Sequence, residues 1–142
     1  MSGSLAGSVT SVTWRRNLSV PLWLTLGCVR LTLIRHGETH GNVQRLLDTA
    51  PPGTELTDLG RAQAEQVADQ FADAGIGAIY VSPAIRAIAT GEPLAARLGL
   101  TPIVEPGIRE IWAGDDEMSP SYEAWVDYVK VVRAWWAGDF SP

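Results

Sequence analysis

The chain has 142 residues, 46% of them hydrophobic and 19% charged, with a formal net charge of -5. That length suits about one domain, and the apolar fraction excludes disordered, collagen-like and low-complexity classes. The acidic balance argues against a nucleic-acid binder, which presents a basic face. The charge is uneven: residues 1–104 hold 8 acids and 8 bases, whereas residues 105–142 hold 8 acids and 3 bases. The acidic end reads as a solvated face. One cysteine, Cys28, excludes a disulfide framework and a cysteine-based metal cluster. It fits a reducing compartment, the cytoplasm.

Residues 1–28 read as an N-terminal extension to a domain that starts at residue 29. Residues 1–13 are uncharged and rich in Ser and Gly. Arg15 and Arg16 then precede an apolar run over 18–29, interrupted by Pro21. That outline resembles a signal peptide, and it is too short for a membrane span, which needs about 20 residues. Thr25 and Leu26 suit cleavage poorly, and a chain beginning at Cys28 would have no linker before the first core strand. An extension is the better reading, and no membrane partner is expected.

The β-branched run over 29–34 predicts a buried strand ending at Arg35. Gly37, Gly41 and the Ala50-Pro51-Pro52-Gly53 stretch predict a long loop. Thr57 is an N-cap candidate for a helix to about Ala74, carrying Leu59, Ala62, Gln66, Val67, Gln70 and Phe71 at helical spacing. Residues 78–81 predict a second strand. Pro83 suits the first turn of a helix ending at Leu98, stopped by Gly99. Ile103 and Val104 suggest a third strand. Residues 106–120 form an acidic loop, and 121–137 a last helix with Trp125, Val129, Val132 and Trp136 along one side, read as core. The alternation predicts an α/β fold with a mostly parallel sheet between helices. Functional loops then follow the carboxyl ends of the strands.

Two charged motifs sit at those ends. The first is Leu33-Ile34-Arg35-His36-Gly37-Glu38-Thr39. Arg35 offers a rigid fork of donors suited to a phosphoryl group. Gly37 lets a ligand approach the backbone. The His36 imidazole, with an ordinary pKa of about 6.5, is a competent nucleophile near neutral pH. Asn42 can donate an amide hydrogen bond to the same anion. The second motif is Ser82-Pro83-Ala84-Ile85-Arg86-Ala87 with Thr90. The amides and dipole at the start of its helix favour an anion. Arg86 could join Arg35 there; taken alone it reads more readily as a surface ion pair. No metal-ligand spacing is present, and neither a metal nor a cofactor is expected.

Together these motifs resemble the histidine phosphatase superfamily, also called the phosphoglycerate mutase-like family. The matching residues are Leu33-x-Arg35-His36-Gly37-Glu38-Thr39 with Asn42, then Leu56-Thr57-x-x-Gly60-x-x-Gln63-Ala64. Ser82-Pro83-x-x-Arg86-Ala87-x-x-Thr90 follows, and then Arg109-Glu110 before Gly114. The resemblance implies a three-layer sandwich and a phosphomonoester hydrolase. His36 attacks phosphorus and becomes phosphohistidine. Arg35, Arg86 and Asn42 hold the equatorial oxygens. Glu110 protonates the leaving oxygen and later activates water. Glu110 is preferred over Asp115, Asp116 and Glu117 by this resemblance alone. His40 reads as a rim residue. The implied partner is a small phosphorylated substrate, and a homo-oligomer is compatible with this reading without being required by it.

The sequence also departs from the family, whose members carry a second catalytic histidine in the last third of a roughly 200-residue domain. No histidine follows His40 here, so residues 29–142 correspond to the N-terminal two-thirds of such a domain, a C-terminally truncated one. Losing one preorganised donor costs about 10²–10³ in rate. The expectation is therefore an impaired hydrolase, with an inactive phosphate- or partner-binding fragment as the alternative. Mutase-type transfer is a further alternative, less favoured because mutase insertions are not evident.

Overall fold

The computed structural model describes residues 9–13 and 29–141, which fall into two compact units divided between Arg35 and His36. The signal-peptide outline at 15–28 and Cys28 lie outside the described residues. In the first unit, β1 (Val9–Thr13) pairs antiparallel with β2 (Arg30–Ile34), Val9 opposite Ile34 and Thr13 opposite Arg30. The strand expected over 29–34 is present, but its burial is not. Val29, Leu31 and Leu33 are exposed, because a two-stranded ribbon leaves much of its surface uncovered.

The second unit begins with a helix that the loop reading missed. α1 (His40–Gln44) is capped by Thr39, whose hydroxyl accepts from the Asn42 amide, while the Asn42 side chain accepts from the Thr39 N–H. This capping box satisfies two amides that a helix start leaves open. α2 (Asp58–Phe71) starts at the expected N-cap, Thr57. It ends three residues before the expected Ala74. Its buried stripe is Gly60, Ala64 and Ala68, while Leu59, Ala62, Gln66 and Gln70 of the expected set face solvent. Small residues on that stripe let α3 (Ile85–Leu98) lie close against it.

α3 ends as expected at Gly99, whose φ of 66° is the left-handed cap glycine favours. Pro83 precedes the helix rather than opening it, since Ala84 is the N-cap. On the surface, Arg97 of α3 pairs with Glu65 and Asp69 of α2. Leu94 of α3 and the nearly inaccessible Leu56 are buried, each contributing about 2 kcal/mol. β3 (Tyr80–Val81) and β4 (Ile103–Val104) form the parallel pair that α3 connects, with Tyr80 opposite Ile103. The fold class is therefore α/β with a parallel pairing, as expected.

α4 (Tyr122–Trp136) is capped by Ser121. The expected core role of its aromatics fails: Trp125 is 50% exposed and Trp136 89%, and only Ala124 of the helix is buried. Helical spacing defines a face; a covering partner is a separate requirement, and none of the described elements covers this one.

Candidate active site

His36 opens the second unit. Its Nδ1 lies 2.7 Å from the Gly37 carbonyl oxygen. A carbonyl only accepts, so Nδ1 carries the proton in this contact, and the lone pair of the neutral ring falls on Nε2. The Gly37 N–H donates to Thr90 Oγ1 (3.0 Å), and that hydroxyl donates to the Arg86 carbonyl (2.7 Å), both bonds being buried. Thr90 thus joins the His36 loop to the first turn of α3.

The α2 motif holds the same loop from the other side. The Glu38 N–H donates to Gln63 Oε1 at 2.8 Å, the Thr57 N–H donates to the Glu38 carbonyl at 2.9 Å, and the Thr57 hydroxyl donates to Glu38 Oε1 at 2.8 Å. A Cβ on Gly37 would strike the Gly60 backbone, and one on Gly60 would strike the Glu38 backbone. Gly37 therefore makes room for protein, where the sequence had suggested room for a ligand. Asn42 is exposed. Its side-chain oxygen is engaged with Thr39, which leaves the NH₂ end as its donor.

Arg86 is 4% exposed. Its Nη1 stands 3.4 Å from Asp48 Oδ1, and both side chains are 5% exposed. The ion pair weighed from the sequence is real, but buried. Asp48 is anchored in turn: its Oδ2 accepts from the Thr54 N–H (2.9 Å) and the Thr54 hydroxyl (2.5 Å). Gly53, at φ +73°, passes so close that a Cβ would meet Arg86 Nη1. The amides starting α3 are less available than expected, since the Ile85 N–H donates to the Pro52 carbonyl at 2.9 Å. Sequence reading missed Asp48, whose partner lies 38 residues away; the only local hint was the Pro-Pro-Gly turn beside it.

Arg35 is the exposed last residue of the first unit. Glu110 is also exposed, with Oε1 3.1 Å from the Tyr128 hydroxyl of α4, which lies equally close to the Ile111 carbonyl. Burial pushes the Tyr128 phenol up, and the Glu110 charge and hydrogen bond and the Glu117 charge push it further. Glu117 is held differently. Its carboxylate accepts from the Thr49 and Ala50 N–H groups and the Thr49 hydroxyl. Partial burial raises its pKa, but these bonds outweigh burial and the nearby Asp48 charge, leaving it below the ordinary 4.5. Thr49 Oγ1 also accepts from the Ala113 N–H at 2.8 Å, so loops 47–50 and 113–119 are clamped together. Arg109 stacks on Trp112 at 4.4 Å. Among the described residues, no group of three or more His, Cys, Asp or Glu is gathered that could hold a metal ion. No described helix is long and apolar enough to cross a membrane.

The model of the histidine phosphatase superfamily (branch 1) matches residues 31–142. The chain belongs to the histidine phosphatase superfamily. It is 42% identical over 110 residues to PE-PGRS family protein PE_PGRS11 of Mycobacterium tuberculosis, covering 76% of this chain and 19% of that protein. It is 32% identical over 103 residues to a protein of Yersinia pestis named "probable phosphoglycerate mutase", covering 68% of this chain and 47% of that one. Among solved structures, a mycobacterial glucosyl-3-phosphoglycerate phosphatase complexed with VO3 superposes with a TM-score of 0.59 at 30% identity. That match covers 71% of this chain and 49% of the other. The chain thus spans half or less of the length of these relatives. Of these relatives, the Yersinia protein is named as a probable mutase and the solved structure as a phosphatase.

Proposed function

We propose that this chain carries the nucleophile-bearing part of a phosphomonoester hydrolase, with His36 as the residue that takes the phosphoryl group. The observation that carries the reading is the His36 ring, oriented by its own loop. With Nδ1–H directed at the Gly37 carbonyl, Nε2 is the ring nitrogen we assign to attack on phosphorus. The P–O bond to the leaving group breaks as the Nε2–P bond forms, and water then cleaves Nε2–P to release phosphate. Fixing the tautomer in advance avoids reorganisation during reaction. Arg86 brings a buried positive charge, held to the same loop through Thr90. Arg35, adjacent in the chain, is assigned to the phosphoryl oxygens by its motif, and Asn42 by its NH₂ end. Glu110 is assigned as proton donor to the leaving oxygen and then as base for water, with the Tyr128 hydroxyl against it. The site acts in residues 29–142, on a small phosphorylated substrate, without a metal or cofactor, in the cytoplasm.

A second reading is a phosphate-binding fragment without turnover, which the buried Arg86 charge tied to the His36 loop through Thr90 would also suit. Hydrolysis of an aryl phosphate in chelator, beside His36→Ala, separates the two. Turnover lost in the variant, with an acid-labile phosphoprotein trapped on the parent chain, supports the hydrolase. Phosphate binding with turnover no greater than the variant's supports the fragment. Mutase-type transfer predicts, in addition, exchange of phosphate between positions of a phosphoglycerate.

A further inference from the structure

A buried carboxylate, Asp48, pairs with Arg86 of the phosphoryl machinery. We propose that Asp48 is a positioning residue for Arg86, holding its guanidinium in the orientation in which it meets an anion; its use for phosphate rests on the reading above. Three observations carry this. The pair is buried on both sides, each side chain 5% exposed, so neither charge is solvated and each orients the other. Asp48 is itself anchored: its Oδ2 accepts two bonds from Thr54, and Thr54 Oγ1 also accepts from the Gly41 N–H at 3.0 Å. Gly53 leaves no room for the guanidinium to swing through its position, since even a Cβ there would strike Nη1.

The chemistry explains why a carboxylate would sit in such a place. An arginine side chain has many rotamers, and ordering it costs conformational entropy. A buried anchor spends that entropy during folding rather than during substrate binding. At 3.4 Å the Arg86–Asp48 contact is long for a charge-assisted bond, so the carboxylate orients one edge of the fork without closing it. A guanidinium has five donors, and this pairing engages Nη1 alone.

The test reads Arg86 directly in the 142-residue chain. The ¹⁵N-edited spectrum of the Arg Nε–H is recorded for the parent, with Arg86→Lys identifying the Arg86 signal, and for Asp48→Asn and Thr54→Ala. Thr54→Ala keeps the charge and removes only one anchor, so it covers the case where Asp48→Asn does not fold. The expected result is a dispersed, slowly exchanging Arg86 signal that collapses toward the free-arginine position in Asp48→Asn and moves part-way in Thr54→Ala. Titration with inorganic phosphate should then weaken on the order of tenfold in Asp48→Asn. An Arg86 signal unchanged in the folded variants overturns the proposal. So does a phosphate affinity unchanged or tightened in Asp48→Asn, because the carboxylate would then be a competitor of the anion. A signal that collapses as expected while the parent chain binds no phosphate upholds the positioning and overturns the phosphoryl reading instead.

Discussion

Glycine ordinarily weakens a helix, and replacing it with alanine gains about 1 kcal/mol. Gly60 in the first turn of α2 should behave oppositely. Its Cβ would meet the Glu38 carbonyl oxygen, a backbone atom that cannot rotate away. Gly60→Ala is expected to destabilise by about 1–3 kcal/mol, whereas Gly77→Ala, with nothing within 4 Å and no positive φ, should be neutral or slightly stabilising. Urea unfolding of both variants checks the contrast; equal midpoints would contradict the close packing of the His36 loop on α2. Glu117 gives a pH prediction at the same scale. Its folded pKa lies below 4.5, so its contribution is full above pH 4.5 and is lost as pH falls through the folded value. Glu117→Gln should therefore flatten the fall in melting temperature below pH 4.5, with little change in slope above it.

Thr90 works between elements. It accepts from the Gly37 N–H and donates to the Arg86 carbonyl, so Thr90→Val keeps the shape and orphans a buried amide. The cost should be about 1–3 kcal/mol. Hydrogen exchange at Gly37 should accelerate more than in the middle of α2, and protection unchanged at Gly37 would refute the pin. Element-level structure was legible wherever a cap is spelled locally, as with Thr57 before α2 and Gly99 after α3. α1 was not, because Thr39 and Asn42 were read for chemistry when they also form a capping box. The motif residues His36, Gly37 and Arg86 were visible as a set, while the Thr90 link took the structure to see. Asp48 and Glu117 were invisible as partners, since their bonds cross 38 and 68 residues.

At the scale of the molecule, the apolar surface of α4 and its neighbours decides how the chain behaves in solution. Trp112, Trp125, Trp135 and Trp136 are exposed by 55%, 50%, 40% and 89%, and Phe140 by 74%. Tyr122 stacks on Trp125 and Trp135 lies against Phe140. Exposed apolar patches of this kind favour association, and the net charge of -5 opposes it by repulsion that salt screens over about 10 Å at 0.1 M. The 142-residue chain should therefore bind a hydrophobic dye such as ANS in its folded state, show red-shifted tryptophan emission that acrylamide quenches readily, and associate further as salt is raised from 0.02 to about 0.5 M. Acrylamide is the better quencher here because it is uncharged and does not share the repulsion that iodide would feel. Light scattering across the salt series distinguishes the causes: association that grows with salt identifies apolar contact restrained by charge, whereas association that shrinks identifies ion pairing between copies. Blue-shifted, quencher-resistant emission with no dye binding would mean that the α4 face is covered in solution, and the exposure of its tryptophans would be refuted.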